Sequence, residues 1–152
     1  MQIITEAEAL RSALQAAVAQ QAVAFDAVIA SYGQPKGSDA EKSSRAAAIE
    51  HALDRATVVP LQIARHAVQL QALAVEVVES GNVSACSNAA AGAHLAHTAL
   101  RIAALNVRIN QRDMSEREEA AQWLRQLEEL EKSSSVLVEP AEAAMRAFTE
   151  PA

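Results

Sequence analysis

Two asparagines near the end of an alanine-rich segment are the residues of this sequence best suited to hold a polar ligand. Asn106 and Asn110 are four positions apart, so on a helix they share one face, while Arg108 points roughly to the opposite side. An amide side chain carries both a donor and an acceptor, which suits the edge of a heteroaromatic ring that bears amide groups. Two interpretations stay open, because amides near helix ends also tie down neighbouring loops.

Proton transfer has one candidate in the first third of the chain. Asp26 follows Phe25 in a segment rich in apolar residues and is the only acid between Glu8 and Asp39. If Asp26 points inward, burial disfavours its charged form and suits it to proton transfer. If it points to solvent, it is an ordinary surface carboxylate, which is the more common state of such residues.

Two further pairs of polar residues lie next to predicted helix ends. Ser87 and Asn88 are residue types that favour the N-cap, and we predict that one of them begins the helix that ends at Asn110. A helix N-terminus also favours a carboxylate or an oxyanion, so capping and function are compatible here. Tyr32 and Lys36 flank the turn after the first helix, where the lysine either pairs with an anionic part of a ligand or is solvated.

Metal binding and thiol chemistry are not predicted. His94 and His97 are three positions apart, with His66 on the preceding predicted helix. No acid occurs in residues 80–112 to complete a metal site around them. Cys86 is the single cysteine, which excludes an internal disulfide, and it has no clear base partner that would activate it as a nucleophile.

The composition predicts an all-α fold in one domain that covers residues 1–152. Of the 152 residues, 51% are hydrophobic but only 3% are aromatic. Alanine, the best helix former, makes up roughly a quarter of the chain. Small side chains require close helix packing, and long helices with wide apolar faces predict a homodimer or a higher homo-oligomer.

The charge and the lack of targeting signals limit the expected partners. A net charge of −6 argues against a nucleic-acid-binding surface. We find no signal peptide before the first helix and no uninterrupted apolar run long enough to span a membrane. These features predict a cytoplasmic protein without nucleic-acid or membrane partners.

Capping boxes and apolar periodicity predict about five long helices. Thr5 with Glu8, and Ser38 with Glu41, have the spacing of capping boxes. They predict a first helix that ends near residue 31 and a second that begins near residue 39.

The middle and the end of the chain supply the other three predicted helices. Pro60 lacks a backbone donor and favours a kink or break, so we expect it to open a third helix. A fourth helix carries the two asparagines, and Ser115 with Glu118 forms a capping box that begins a fifth.

Several short strings occur in a specific order along the chain. They are Ala24-Phe25-Asp26-Ala27-Val28, Ala56-Thr57-Val58-Val59-Pro60-Leu61, Glu79-Ser80-Gly81-Asn82, Ser87-Asn88-Ala89 and Ala103-Ala104-Leu105-Asn106-Val107-Arg108-Ile109-Asn110. Together, and with Tyr32 and Pro35-Lys36, they resemble the C-terminal family of formiminotransferase-cyclodeaminases, also called the cyclodeaminase/cyclohydrolase family. The resemblance covers residues 20–112 and, more loosely, the final helix.

The resemblance implies an all-helical oligomer that works on folates. The implied reaction is ring closure of 5-formimino-tetrahydrofolate with loss of ammonia, or hydrolysis of the 5,10-methenyl cation to the 10-formyl compound. The expected substrate is a tetrahydrofolate derivative, and neither reaction strictly needs a metal or a prosthetic group. The site residues that we predict are Asp26 and Asn88 for catalysis and Tyr32, Lys36, Ser87, Asn106 and Asn110 for substrate binding.

The chain departs from the family pattern at positions that bear on catalysis. Members usually begin with a helical segment that contains a Pro-Gly-Gly-Gly-Ser stretch, which this sequence lacks. They often carry an acid where this chain has Gln21, and commonly an aspartate where it has Asn88. Asn88 cannot act as a carboxylate base, and a positioned general base contributes about 10²–10⁴-fold to a rate. An alternative therefore stays open: a non-catalytic or repurposed member that binds a pterin-like ligand or acts as a helical accessory or structural oligomer.

Overall fold

The computed structural model describes residues 2–80, 83–114 and 117–149. Within these ranges the chain forms four α-helices and one short 3₁₀ helix, and no strand. The helices are α1 (Gln2–Tyr32), α2 (Asp39–Glu79), α3 (Val83–Gln111) and α4 (Glu118–Thr149), with the 3₁₀ helix η1 (Arg112–Met114) between α3 and α4. The predicted all-α fold is confirmed.

Helix α2 is the centre of the bundle. It packs against α1, α3 and α4, and α3 also packs against α4. Arg45 near the start of α2 donates to the carbonyl of Tyr32 at the end of α1, so these two helices run antiparallel. Asn110 near the end of α3 bonds to Ala56 in the first half of α2, so α3 is also antiparallel to α2. Helices α1 and α3 therefore run in the same direction along α2.

The predicted break at Pro60 is wrong, because α2 continues through the proline. Proline has no N–H, so the carbonyl of Ala56 loses its usual donor four residues later. The side chain of Asn110 supplies a substitute, since its Nδ2 donates to the carbonyl oxygen of Ala56 over 2.7 Å. A neighbouring helix thus repairs the hydrogen-bond deficit, and the second and third predicted helices are a single helix of 41 residues. The described chain therefore has four long helices instead of five.

One of the predicted capping boxes is confirmed and another is wrong. The Ser38 hydroxyl accepts from the amide of Glu41, and the Glu41 carboxylate accepts from the amide of Ser38. The backbone amides of Ser38 and Gly37 both donate to this carboxylate and hold the pKa of Glu41 below its ordinary value. Thr5 does not cap α1, because that helix already begins at Gln2. The box predicted at Ser115 lies outside the described residues.

The start of α3 also differs from the prediction. The helix begins at Val83, so Ser87 and Asn88 lie in its second turn and neither is its N-cap. The earlier start places Cys86 inside the helix, where it is buried and its Sγ donates to the carbonyl of Val78 over 3.4 Å. This contact with α2 favours a helix that is one turn longer than the cap residues indicate.

Helix α1 exposes much apolar surface. Its buried residues are Ala17, Ala24 and Ser31, whereas Val18 is 70% exposed and Phe25 is 60% exposed. By length and composition alone α1 could cross a membrane, contrary to the prediction from the sequence, although helices in protein cores meet the same criterion. A large exposed apolar face is more typical of a surface that another molecule covers.

Candidate functional site

Helices α1 and α3 flank one side of α2 and form a channel between them. A cavity of about 390 Å³ is lined by Ala7, Leu14 and Val18 of α1 with Leu70 of α2. Leu70 and Ala7 also line a second cavity, of about 210 Å³, which Gly92 of α3 closes on the other side. Both helices therefore border the same face of α2, and we call the space between them the α1–α3 channel.

Helical spacing extends the two walls of this channel toward the other end of the bundle. On α1, the face that carries Val18 continues through Phe25 and Tyr32 at intervals of seven residues. On α3, the face that carries Gly92 continues through Ala99 and Asn106, again at intervals of seven residues. Large exposed apolar side chains lie on or beside these two faces, namely Val18, Phe25, Ile29 and Tyr32 on α1 and Leu95, Ile102, Leu105 and Ile109 on α3. The walls are apolar and accessible, which suits a flat aromatic ligand or a second protein surface.

The polar groups of the channel lie at the level of Pro60. Asn110 is held there by its bond to Ala56. Asn106 lies one turn earlier on the same face of α3, is half-buried, and has no hydrogen-bond partner in the described part of the chain. On α1, Ala24 lines a cavity of about 410 Å³ with Val58, which places this part of α1 at the same level of α2.

Gln21 is the polar residue of α1 next to the channel at this level, whereas the adjacent Gln20 lines the cavity with Ala24. Gln21 lies one turn from the buried residues Ala17 and Ala24, and equally one turn from the exposed residues Val18 and Phe25. Its Oε1 is buried and has no hydrogen-bond donor, and within the described ranges it is the only buried side-chain nitrogen or oxygen without a partner. Gln21 therefore lies at the boundary between the α1–α2 contact and the channel, with an unused acceptor.

Asp26 is on the outer side of α1. Its side chain is exposed in the protomer, one residue past Phe25 and away from the contact with α2. Of the two alternatives that the sequence leaves open, the solvent-facing one is observed. Gln21, whose Oε1 is buried, stands where the family pattern has an acid and this sequence has an amide.

Ser87 and Asn88 lie far from the paired asparagines within one protomer. Both are exposed, and Asn88 precedes Asn106 by 18 residues, which is about 27 Å along a helix axis. Eighteen residues are also five complete helical turns, so Asn88 and Asn106 share one face of α3. The structure thus places Asn88, Asn106 and Asn110 on one face of α3 but at its two opposite ends, whereas Ser87 points about 100° away from Asn88.

Tyr32 joins the end of α1 to the segment after α3. Its hydroxyl donates to the Oδ2 of Asp113 over 2.8 Å, and this hydrogen bond raises the pKa of Tyr32 above its ordinary value. The guanidinium of Arg45 lies 5.6 Å from the centre of the tyrosine ring. Lys36, in the turn after Tyr32, is exposed.

A groove of about 510 Å³ lies beside this contact, at the end of the bundle. Its lining combines apolar side chains, including Ile49, Leu53 and Met114, with the charged residues Arg45, Glu50, Arg112, Asp113 and Arg117. Arg117 is paired with Asp54 over 2.5 Å. No ion pair is formed by Arg45 or Arg112 within the part of the chain that the structure describes. Arg45 and Arg112 therefore lie in this groove beside the Tyr32–Asp113 contact, together with the acidic residues Glu50 and Asp113.

A second polar cluster lies in the core between α2, α3 and α4. Gln71 and Ser134 are fully buried, and the Ser134 hydroxyl donates to Oε1 of Gln71 over 2.5 Å. Nε2 of Gln71 donates to the carbonyl of Ser134 over 3.3 Å. Nδ1 of His97 lies 2.8 Å from the same hydroxyl. The described residues contain no group of three or more His, Cys, Asp or Glu side chains placed to hold a metal, and His97 belongs to this cluster instead.

Comparisons with known proteins agree with this fold. A family model described as formiminotransferase-cyclodeaminase matches residues 1–129. A methenyltetrahydrofolate cyclohydrolase of Methylorubrum extorquens is 41% identical over 129 residues, which are 85% of this chain and 62% of the relative. A formimidoyltransferase-cyclodeaminase of Mus musculus is 32% identical over 114 residues, which are 75% of this chain and 21% of that protein. The chain thus spans less than two thirds of the length of these relatives.

A solved structure has the same architecture. The crystal structure of a formiminotetrahydrofolate cyclodeaminase from Thermotoga maritima superposes with a TM-score of 0.80. The match covers 94% of this chain and 67% of that chain at 24% sequence identity. At this identity the match establishes the fold alone.

Proposed function

Because the chain belongs to the formiminotransferase-cyclodeaminase family, we propose that it is a cytoplasmic folate one-carbon enzyme. The proposed reaction is hydrolysis of 5,10-methenyl-tetrahydrofolate to the 10-formyl compound. The single observation that carries this choice is the 41% identity over 129 residues to a methenyltetrahydrofolate cyclohydrolase. Ring closure of the 5-formimino compound with loss of ammonia is the related reaction that other family members are named for.

The α1–α3 channel is the proposed binding site. Hydrolysis of the methenyl cation requires a water molecule to add to the one-carbon centre, the bond from that carbon to N5 to break, and one proton to leave. The apolar walls around Phe25 and Ile102 can contact the faces of a flat pterin ring. The half-buried amide of Asn106 can hydrogen-bond its polar edge and orient it for attack. Asn110 uses its Nδ2 to bond the carbonyl of Ala56 on α2, which leaves its Oδ1 available to the ligand.

The remaining predicted residues have proposed roles at the rim and at the end of the channel. Asp26 is exposed on the outer side of α1, and we assign it to accept the proton where a second copy of the chain covers this face. Tyr32 and Lys36 lie at the end of the bundle near Arg45 and Arg112, whose side chains can pair with the carboxylates of a folate tail. As proposed, the reaction needs no metal and no prosthetic group.

A second copy of the chain completes the site in this proposal. The exposed apolar residues Leu95 and Ile102 lie between Asn88 and Asn106 on α3. When two copies of α3 pack antiparallel about the midpoint of Leu95 and Ile102, Asn88 of the partner subunit reaches the level of residue 109, between Asn106 and Asn110. Homodimerisation would cover the apolar faces of α1 and α3 and bring together polar residues that are about 27 Å apart within one protomer.

A binding function without catalysis is the second candidate. It is favoured by the amides that stand at two positions where the family pattern has acids, Gln21 and Asn88. An amide can hold a pterin but cannot take a proton from water, so loss of both acids fits a member that binds and does not turn over.

One experiment separates these functions. The absorbance of 5,10-methenyl-tetrahydrofolate is followed with purified, folded protein, and calorimetry measures binding of the same compound. The proposed enzyme accelerates the decay of absorbance over buffer alone. Binding without acceleration supports the second candidate, and the absence of both leaves a helical oligomer with another role.

A further inference from the structure

We propose that Gln21 contacts the substrate directly and accepts a hydrogen bond from an N–H group of its pterin ring. The inference rests on the proposed function, because that function supplies the class of ligand. The evidence is the buried Oε1 of Gln21, which has no donor in the described parts of the chain. Buried polar atoms are nearly always hydrogen-bonded, so an open acceptor next to a channel indicates that its donor comes from elsewhere.

The neighbouring helix explains why this acceptor stays open. At this level α2 contains Pro60, which has no N–H, and Thr57, whose hydroxyl donates to the carbonyl of Leu53 over 2.8 Å. The other backbone amides there are used within the helix. Arg55 and Gln62 of α2 line the cavity beside Ala24, but neither donates to Gln21. The oxygen of Gln21 therefore stays free for a donor that enters between α1 and α3.

The chemistry of a pterin matches an amide acceptor of this kind. The fused ring of a tetrahydrofolate carries an exocyclic amino group and ring N–H groups, all of which donate. Asn106 on the opposite wall offers both a donor and an acceptor. Gln21 and Asn106 would thus read two parts of one polar edge, and Gln21 selects ligands that present an N–H at this position.

The test replaces the amide with an apolar side chain of similar length, Gln21→Met, and uses Gln20→Met as the matched control. Gln20 is the adjacent glutamine of the same helix, and its side chain is exposed. We measure the thermal midpoint without ligand, the oligomer mass, and KM and kcat for 5,10-methenyl-tetrahydrofolate. The expected result for Gln21→Met is a KM raised about tenfold with kcat changed less than about threefold.

The thermal midpoint distinguishes a substrate contact from a structural role. Replacing an unpaired buried acceptor with an apolar group is neutral or stabilising, so the midpoint of Gln21→Met should stay the same or rise. Gln20→Met should change neither the thermal midpoint nor KM. Gln21→Glu keeps an oxygen acceptor and should bring KM back toward that of the wild-type protein.

Three outcomes would overturn the inference. A lower midpoint or a smaller oligomer mass for Gln21→Met means that the oxygen is bonded within or between copies of the chain. An unchanged KM in an active, folded variant means that the substrate does not contact Gln21. A wild-type protein that neither binds nor converts the folate removes the proposed function itself, and with it this ligand, whereas the midpoint still reports whether the acceptor is unpaired.

Discussion

Two glutamines on neighbouring helices show opposite solutions to the burial of an amide. Gln71 on α2 is fully buried, and both ends of its side chain bond to Ser134. Gln21 on α1 is half-buried, and its Oε1 has no donor among the described residues. One amide is satisfied by the chain itself, and the other is left open beside the α1–α3 channel.

In the core cluster of Gln71, Ser134 and His97, the hydrogen-bond pattern also indicates which atoms carry the protons. The carbonyl oxygen of Ser134 can only accept a hydrogen bond, so the atom of Gln71 that faces it is the amide nitrogen Nε2. Its oxygen then accepts from the Ser134 hydroxyl, and that hydroxyl in turn accepts from His97. The tautomer with a proton on Nδ1 follows for His97. This closed network holds three helices together, whereas the buried Oε1 of Gln21 beside the channel has no such partner among the described residues.

The largest expected effect comes from making the same substitution at both glutamines. Gln71→Met leaves the Ser134 hydroxyl and His97 without their partner in the core and should lower the free energy of unfolding by about 2–3 kcal/mol. Gln21→Met should leave the free energy of unfolding unchanged or raise it. Denaturant unfolding at one fixed protein concentration measures both, since any oligomer makes stability depend on concentration. Equal losses at the two positions would remove the distinction between the two regions.

Asn110 combines features of the buried core cluster and of the channel, because its Nδ2 bonds to the carbonyl of Ala56 while its side chain lies beside the channel. Asn110→Ala leaves the carbonyl of Ala56 without a donor and should cost about 1–2 kcal/mol of stability. Pro60→Ala restores a backbone N–H to that carbonyl. In the Pro60→Ala background the Asn110→Ala substitution should therefore cost at least about 0.5 kcal/mol less.

A double-mutant cycle measured by chemical denaturation checks this coupling. Additive losses would mean that the bond between Asn110 and Ala56 does not substitute for the missing proline donor.

The smallest expected effect is at the surface, where α3 meets α4. Arg108 forms two hydrogen bonds with the carboxylate of Glu131, of 2.9 Å and 2.6 Å, and they hold the pKa of Glu131 below its ordinary value of 4.5. Because the folded pKa is depressed, this contribution is present above pH 4.5 and is lost as the pH falls through the folded pKa. Glu131→Gln should cost about 0.5–1 kcal/mol at pH 7, since the pair is partly solvated.

The difference between Glu131→Gln and the wild-type protein should disappear in acid. Glu129→Gln, at an exposed position of the same helix, serves as the control and should have no effect at either pH. A difference that does not shrink as the pH falls below 4.5 would show that the two hydrogen bonds, and not the charge of Glu131, determine the effect.

Local sequence signals were sufficient for the fold class and for one helix start. The spacing of Ser38 and Glu41 predicts the beginning of α2 because a capping box uses only neighbouring residues. The break predicted at Pro60 failed because the compensating donor, Asn110, is 50 positions away in the sequence and reaches α2 only through tertiary packing. The start of α3 was missed for a related reason, since burial of Cys86 against Val78 lengthens the helix.

The candidate site was predictable in part. The face shared by Asn106 and Asn110 follows from helical spacing, but the orientation of α1 does not, because its apolar residues surround most of the helix. The sequence does carry a signal at Gln21. Ala17, Ala24 and Ser31 repeat every seven residues on the buried face of α1, and Gln21 is a polar residue one turn from both Ala17 and Ala24. Whether Asn88 approaches Asn106 depends on a second copy, which no pattern within one chain determines.

Subunit complementation tests most directly whether the channel is a site completed by two copies. Asn88→Ala and Asn106→Ala are purified separately, and each should be folded, dimeric and inactive toward 5,10-methenyl-tetrahydrofolate. After unfolding together and refolding, half of the dimers carry one of each variant, and each such dimer has one intact site. The mixture should then regain about one quarter of the wild-type activity. A mixed dimer that forms and stays inactive would contradict the account.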